Sequence, residues 1–509
     1  MALTRRQLLE TASATAVAAA TLDASAFAQR PDGPNVLLIV VDTLRADHVG
    51  AYGGRARTPT IDALAREGLR FTRFYPEAMA TVPARRSIMT GRRTFPFRGW
   101  SPQPELGLRH TPGWAPIAEP GETFTAALRR AGWWTGYVTD NPFLGFSSGY
   151  ASFRQGFDRF VRVGGQIGTV RSPARVSRRD LDGWLIPELR EAHIERRVRS
   201  FLGAGGRYWE DESRSWAARV SMAGAAVLDE AARRRPFALV VDTYEPHEPW
   251  TPPRSYVDLY GDPDHRGPEP CMSRYDRVAD YLERARRGPV LRRMRDLYAA
   301  EVTMTDRWLG VLIERLYALG LERETVIALV ADHGFLLGEH GWTGKIASML
   351  HPELIHVPFV LVDPLRRRPG AVTGWLAQTH DIAPTLLELT GVRQPKPMNG
   401  DSLAPLLVGH RPRARRPMAY GGYANWHYAR TDRWAFVAAN TGRGRRLYDL
   451  ERDPDERRNV ARDHPGLIDE LEERVRGEAG GRLPSYDGRG LLRRPRRRRG
   501  RRRRRARRS

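Results

Sequence analysis

The sequence predicts an α/β protein: a large, mostly parallel sheet sandwiched by helices, followed by a small α+β subdomain. Three observations carry this. Continuous apolar runs rich in β-branched residues recur at 35–41, 237–241, 325–331 and 357–362. Helical patterns lie between them, and strands alternating with helices mark a parallel layered sheet. Beyond about Arg411 the runs shorten into strand-like pieces, which reads as a change of architecture.

Asn35 to Val41 is apolar after its first residue, as expected of a strand buried on both faces, and it ends at Asp42. Thr60 to Glu67 reads as a helix, with Gly68 as its stop signal. Glu122 to Ala131 is a second helix and Trp133 to Val138 a strand. Phe237 to Val241 is another buried strand, ending at Asp242. Asp276 to Arg287 and Val290 to Leu319 are long helical patterns. Thr325 to Ala331 is a strand ending at a third acid, Asp332. Val357 to Val362 is a strand and Asp381 to Thr390 a helix. Met418 to Tyr420, Trp434 to Val437 and Arg446 to Tyr448 are short strand-like pieces, and Pro465 to Val475 is a helix. Residues 161–235, rich in Arg and Trp, give no clear period. The division is a leader at 1–28, an α/β domain at 33–410, an α+β subdomain at 411–480 and an arginine-rich tail at 481–509.

The net charge of +24 belongs largely to that tail. Fourteen arginines and no acid follow Gly488, and without them the charge is +10. Such a run cannot bury a core, and it gives no reason to expect a specific nucleic-acid partner. The single cysteine, Cys271, excludes an internal disulfide and a cysteine-rich metal site. At the other end, Arg5-Arg6 with Leu8-Leu9, a weakly apolar stretch and Ala26-Phe27-Ala28 resemble a twin-arginine export signal. The expectation is a bacterial periplasmic or secreted protein. No later window has the length of a membrane span.

The acids follow the strands. In open parallel sheets the strand C-termini converge on one edge, where ligands bind, so Asp42 and Asp332 can meet there. Two carboxylates and His333 suit one hard or borderline divalent cation: Ca²⁺ first, Mn²⁺ or Mg²⁺ otherwise. Such a cation polarises an oxygen of a bound oxyanion and holds an oxygen nucleophile deprotonated. Thr81 offers such an oxygen. It stands before Ala84 to Met89, a first helical turn whose free N–H groups favour an anion. Arg85 supplies a planar fork for a tetrahedral oxyanion. His247, in the Pro-fixed loop Tyr244 to Pro253, can donate to the oxyanion or protonate a leaving oxygen, and Lys345 adds a point charge.

The run Thr81-Val-Pro-Ala-Arg-Arg-Ser-Ile-Met-Thr90-Gly91 resembles the active-site signature of the sulfatases, a branch of the alkaline-phosphatase-like superfamily. That signature is a Cys or Ser, then x-Pro-x-Arg and, five residues on, Thr-Gly. The resemblance extends from about Asn35 to Ala461. It includes Asn35 to Tyr52, Pro246-His247-Glu-Pro, Asp332-His333-Gly with Gly338-Glu-His-Gly, Lys345, Asp381-Ile-Ala-Pro-Thr and Gly400-Asp-Ser-Leu. It implies Asp42, Thr81, Asp332 and His333 as metal ligands. Arg85, His247, Lys345 and Asn141 become contacts to the sulfuryl or phosphoryl group. Two departures stand out. Thr43 occupies a position where many sulfatases carry a second Asp. Thr81 stands where the family has the Cys or Ser that becomes formylglycine; Thr cannot give that aldehyde, so no formylglycine is expected. The main reading is a hydrolase of sulfate esters, small or glycan. A phosphodiester or phosphonate hydrolase or phosphoryl transferase using Thr81 is the second, and a catalytically silent binder of anionic or sulfated ligands the third.

Overall fold

The computed structural model describes residues 33–486, apart from 102–110, 118–119, 166–174, 206–210, 395–397 and 413–415. The predicted leader and the arginine run from Arg489 lie outside the described residues. The main sheet has eight strands in the order Ala371–Thr373, Leu69–Phe71, Phe359–Val362, Thr325–Ala331, Asn35–Val41, Phe237–Thr243, Trp134–Thr139 and Arg159–Arg162. The last five are parallel to one another. Phe359–Val362 runs antiparallel to both of its own, so the sheet is mostly parallel, as predicted.

Every residue of Asn35–Val41, Phe237–Thr243 and Thr325–Ala331 is buried. This is why these strands read as unbroken apolar runs. Burying each such Val, Leu or Ile contributes about 1.5–3 kcal/mol. The helix Trp216–Ala231 packs on Phe237–Thr243 and Trp134–Thr139, and Phe124–Arg130 packs on Trp134–Thr139. The helix Pro59–Glu67 lies against Phe359–Val362.

Two regions differ from the sequence reading. The two helical patterns around residue 290 are one helix, Arg284–Ala318, which runs through Pro289. Residues 278–280 form only a short 3₁₀ turn. Pro289 removes one hydrogen bond near the helix start, whereas the residues beyond it bury a long stripe against Trp216–Ala231. That packing outweighs the local break. Among its described residues the stretch 161–235 holds three α-helices, Arg178–Trp184, Ala192–Gly205 and Trp216–Ala231. Ser177 and Ser215 cap the first and last of them.

A second sheet is built from Ala419–Tyr423, Trp426–Arg430, Trp434–Ala439 and Arg446–Asp449, all antiparallel. Its fifth strand, Ala78–Met79, comes from the N-terminal part and pairs in parallel with Ala419–Tyr423. That strand leads into Thr81, so the second sheet braces the start of the helix Thr81–Thr90. No helix among the described residues is long and apolar enough to cross a membrane.

Candidate active site

Strand register brings the acids together. Val41 pairs with both Thr243 and Ala331, so Asp42 and Asp332 leave the sheet side by side. Asp242 pairs with Val40 and with Thr139, one rung lower, and Asp140 follows Thr139. All four are fully buried.

Asp42, Asp332 and His333 carry ligand atoms that lie within 4.8 Å of one another. His333 Nδ1 is 2.9 Å from Gly334 O, which places its proton there. Nε2 then faces Asp332 Oδ2 at 3.4 Å and Asp42 Oδ1 at 3.9 Å. Burial lowers this imidazole to about 4, so it is neutral at pH 7. Asp332 Oδ1 accepts from Thr43 N–H at 3.0 Å and from His333 N–H at 2.7 Å. Neither oxygen of Asp42 makes a hydrogen bond, and neither does His333 Nε2. Burial and the Asp332 carboxylate push Asp42 well up. An unpaired buried polar group costs about 1–3 kcal/mol. Carboxylate oxygens and an imidazole nitrogen, buried, unpaired and this close, are a donor set that fits a divalent cation.

Thr43 is strained beside this set. Its φ is +55°, a left-handed conformation that is rare for a β-branched residue and costs about 1–3 kcal/mol. Its N–H on Asp332 and its carbonyl, which accepts from Tyr298 OH at 2.6 Å, hold it there. Its hydroxyl is buried without a partner.

Thr81 is the first residue of its helix and is buried, and no side chain caps that helix N-terminus. Arg85, one turn on, is enclosed by acids. Its Nε and Nη2 reach the Asp242 carboxylate at 2.6–3.0 Å. Its Nη1 lies 2.5 Å from Asp332 Oδ2, 3.1 Å from Asp42 Oδ2 and 3.2 Å from Thr81 O. The fork expected to face an oxyanion is thus turned to protein carboxylates. These carboxylates, with Tyr137 OH on Asp242 Oδ2 at 2.8 Å, lock the first turn of the Thr81 helix to the sheet edge.

The second half of the site is basic. Lys345 Nζ lies 2.7 Å from His247 Nε2, and Tyr244 OH lies 3.0 Å from the same nitrogen. His247 Nδ1 is 2.8 Å from Glu248 O. Burial, then Lys345, then the Arg197 guanidinium drive this imidazole well down, so the ring is neutral. Burial also lowers the Lys345 ammonium, opposed by Glu248 and Asp42. Arg197, from the helix Ala192–Gly205, is 3.3 Å from both His247 Nδ1 and Glu248 Oε1. Tyr275 OH donates to Glu248 Oε1 at 2.6 Å. The Lys345 charge also acts on Asp42 and His333, so the two halves form one site.

Asn141 sits at the end of the strand Trp134–Thr139. Its Oδ1 accepts from Phe143 and Leu144 N–H at 3.0 and 3.3 Å, capping the short helix Pro142–Phe146. Its Nδ2 is buried without a partner. Beside it, Asp140 Oδ1 accepts from Tyr244 N–H at 2.7 Å, and burial raises that carboxyl to about 7. Glu339 and His340 are turned elsewhere: Glu339 pairs with Arg45 at 3.1 Å, and His340 stacks on His351 at 3.8 Å.

Sequence reasoning missed Asp242, Arg197, Glu248, Tyr244 and Tyr275 as site residues. A signal existed for three of them. Asp242 ends a buried strand as Asp42 and Asp332 do, and Tyr244 and Glu248 lie in the His247 loop. Arg197 and Tyr275 gave none.

Known proteins resemble the chain along most of its length. The sulfatase family profile matches residues 34–392. A profile described as N-sulphoglucosamine sulphohydrolase, C-terminal, matches residues 338–478. The chain is 26% identical over 494 residues to an arylsulfatase of Clostridium perfringens, covering 90% of this chain and 97% of that protein. It is 27% identical over 464 residues to a choline-sulfatase of Rhizobium meliloti, covering 86% and 84%. Among solved structures, the phosphonate monoester hydrolase of Silicibacter pomeroyi superposes with a TM-score of 0.65 at 22% identity, covering 87% of this chain and 94% of that one. That of Agrobacterium radiobacter gives 0.63 at 20%, covering 88% and 95%. At such identities these two attest the fold. With the profile covering well over half of its length, the chain belongs to the sulfatase family, within the alkaline-phosphatase-like superfamily.

Proposed function

We propose that this protein is a metal-dependent hydrolase of sulfuric esters. One observation carries the reading: the oxygens of Asp42, which accept no hydrogen bond, and the Nε2 of His333, which makes none, lie close together at the sheet edge, tied through Arg85 to the uncapped helix start at Thr81. A cation held by Asp42, Asp332 and His333, Ca²⁺ before Mn²⁺ or Mg²⁺, would polarise an ester oxygen. The protein's own groups do the rest. The helix start binds the anionic end of the ester through the Thr81 and Val82 N–H groups, since Pro83 has none and Ala84 N–H is given to Ala80 O. Asn141 Nδ2 adds a neutral donor. Lys345 and His247 form the proton store for the departing alkoxide. Export by the twin-arginine route to the periplasm or beyond, suggested by Arg5-Arg6 and Ala26-Phe27-Ala28, belongs to the same reading.

Thr81 favours a second reading, in which it stands at the family's nucleophile position. Its Oγ then forms the new bond to sulfur or phosphorus as the bond to the leaving oxygen breaks. A threonyl phosphate is released by water attack at phosphorus. A threonyl sulfate lacks the second hydroxyl through which an aldehyde hydrate expels sulfate. A phosphodiester or phosphonate substrate fits this residue better than a sulfate ester does.

The test is turnover of matched nitrophenyl sulfate, phosphate, phosphodiester and phosphonate by the metal-loaded protein, with Thr81→Ala beside it. Sulfatase turnover supports the main reading. Turnover of phosphorus esters alone, lost in Thr81→Ala, replaces it with the second. Retained affinity for sulfated ligands with no turnover makes the protein a binder.

A further inference from the structure

Glu248 has no part in the roles above, yet three separate stretches of chain meet on it. It is fully buried and follows His247 directly. Its Oε1 accepts from Tyr275 OH at 2.6 Å and lies 3.3 Å from Nη2 of Arg197, on the helix Ala192–Gly205. Its Oε2 stands 3.2 Å from His247 Nδ1, at ion-pair distance and without a hydrogen bond of its own. Its carbonyl lies 2.8 Å from the same Nδ1 and accepts from Arg197 Nη2 at 3.3 Å. The carboxylate is thus clamped through one oxygen and presents the other to the imidazole.

The neutral His247 ring carries a hydrogen on one nitrogen and a lone pair on the other. Tyr244 stacks on the ring at 4.2 Å and 17°, so packing sets its plane and only the place of the hydrogen is open. Two environments decide it. Lys345 Nζ is 2.7 Å from Nε2, and an ammonium has three donors and no acceptor. Tyr244 OH, 3.0 Å from Nε2, can donate or accept and decides nothing. Around Nδ1 stand the carbonyl and Oε2 of Glu248, which only accept. Arg197 Nη2 is a donor 3.3 Å from Nδ1, but Glu248 offers it two acceptors at the same distance. The hydrogen therefore lies on Nδ1, and Nε2 accepts from Lys345. Burial lowers the Lys345 ammonium, and Glu248 is the first of the charges that oppose this, ahead of Asp42.

We propose that Glu248 is a positioning residue that fixes His247 in its Nδ1–H form. This rests on the reading of His247 and Lys345 as groups of the active site. Nε2 is then an acceptor only, and the proton that the pair can give to a departing alkoxide is held at Lys345 Nζ. Without the carboxylate, Arg197 Nη2 loses an acceptor and turns to Nδ1. The ring hydrogen then moves to Nε2 and is set against the Lys345 ammonium. Glu248 is fully buried and acts only through His247 and Lys345.

The experiment compares the metal-loaded full chain with Glu248→Gln, which keeps the size of the side chain and an acceptor for Tyr275 OH but removes the charge. The first readout is the nitrogen NMR spectrum of protein labelled at histidine, with His247→Asn to identify the His247 signals. In the wild type Nδ1 is expected to carry the hydrogen and Nε2 the lone pair. In Glu248→Gln the ratio of the Nε2–H to the Nδ1–H form should rise about tenfold or more, as the loss of a contact to a charged group requires. The second readout is kcat for a nitrophenyl ester and for the matching ester of a poorer leaving group, which depends more on proton donation. With the poorer leaving group kcat should fall about tenfold further than with nitrophenyl, with KM little changed. Tyr275→Phe releases one clamp and keeps the charge. Its effects should run the same way and be smaller, and it carries the test if Glu248→Gln does not fold. An unchanged tautomer in the variants that fold, an Nε2–H form in the wild type, or an equal fall of kcat on both esters overturns the proposal. The spectrum needs no turnover, so a tautomer shift in a protein that hydrolyses no ester keeps the role of Glu248 and removes only the hydrolase reading.

Discussion

Two buried clusters of this molecule are built from the same residue types and do different things. At the sheet edge stand Asp42, Asp332, His333 and Arg85. Where the main domain meets the second sheet stand Glu456, His351 and Arg430. Both oxygens of Glu456 are bonded: Oε1 to Arg430 at 2.5 Å and Oε2 to His351 Nδ1 at 2.9 Å. Asp42 is equally buried, yet neither of its oxygens accepts a hydrogen bond, and Arg85 reaches it only at ion-pair distance. A closed carboxylate holds two parts of a fold together. One left open beside a second acid, with only the charges of Arg85 and Lys345 against its desolvation, has room for a ligand. His351 Nε2 and Arg430 Nε are buried without a partner too, so what separates the two clusters is the carboxylate, bonded through both oxygens in Glu456 and through neither in Asp42.

The largest expected effect breaks that contrast. Asp42→Ala removes a ligand and a repulsive charge together. Turnover should fall about 10³-fold, several kcal/mol of barrier, while the metal-free protein unfolds at the same denaturant concentration or a higher one. Glu456→Ala should do the reverse. It leaves Arg430 and His351 buried without their partner and costs about 3–5 kcal/mol of stability, with kcat of the folded protein nearly unchanged. Paired unfolding curves and kinetics check both.

A smaller effect sharpens the contrast. A divalent cation at 100 times its Kd should stabilise the folded protein by about 2.7 kcal/mol. Asp332→Ala should abolish that gain and Glu456→Ala should retain it, as thermal melts with and without chelator will read.

The third effect is one of pH. The folded-state value of His333, about 4, lies below its unfolded value of 6.5. The unfolded chain therefore binds a proton that the native one refuses, and stability falls as pH drops from 6.5 to 4. The same holds for His356 and His427, which burial also lowers to about 4. His333→Asn should remove only part of that acid-side loss, and unfolding curves of the chelated protein across this window measure it.

Much of the site was legible because strand ends are legible. Asp42 and Asp332 each follow an unbroken apolar run, and parallel strands can end only on a shared edge. Glu122 to Ala131 and Thr60 to Glu67 were legible as helices from local period and stop signals. The commitment of Arg85 to Asp242 was not, because a guanidinium pairs with whatever acid the packing brings, here 157 residues away. Arg197 looked like any arginine of an Arg-rich stretch, and its contact with His247 exists only once the helix Ala192–Gly205 is docked. Asn141 was legible as a polar residue after a strand, yet only the structure shows its Oδ1 spent on a helix cap and its Nδ2 left over.

By itself, then, the sequence determined what short-range periodicity and local chemistry determine: the buried strands, the acids at their ends, the helix start at Thr81 and the family pattern that joins them. The tertiary structure decided which charges meet. Pairing Val41 with Thr243 and Ala331 set Asp42 beside Asp332, threading Ala78–Met79 into the second sheet fixed the approach to Thr81, and the long helix brought Glu301 behind the His247 loop. Electrostatic and hydrogen-bond partners act over a few ångströms, and distance along a chain carries no record of which residues will stand that close.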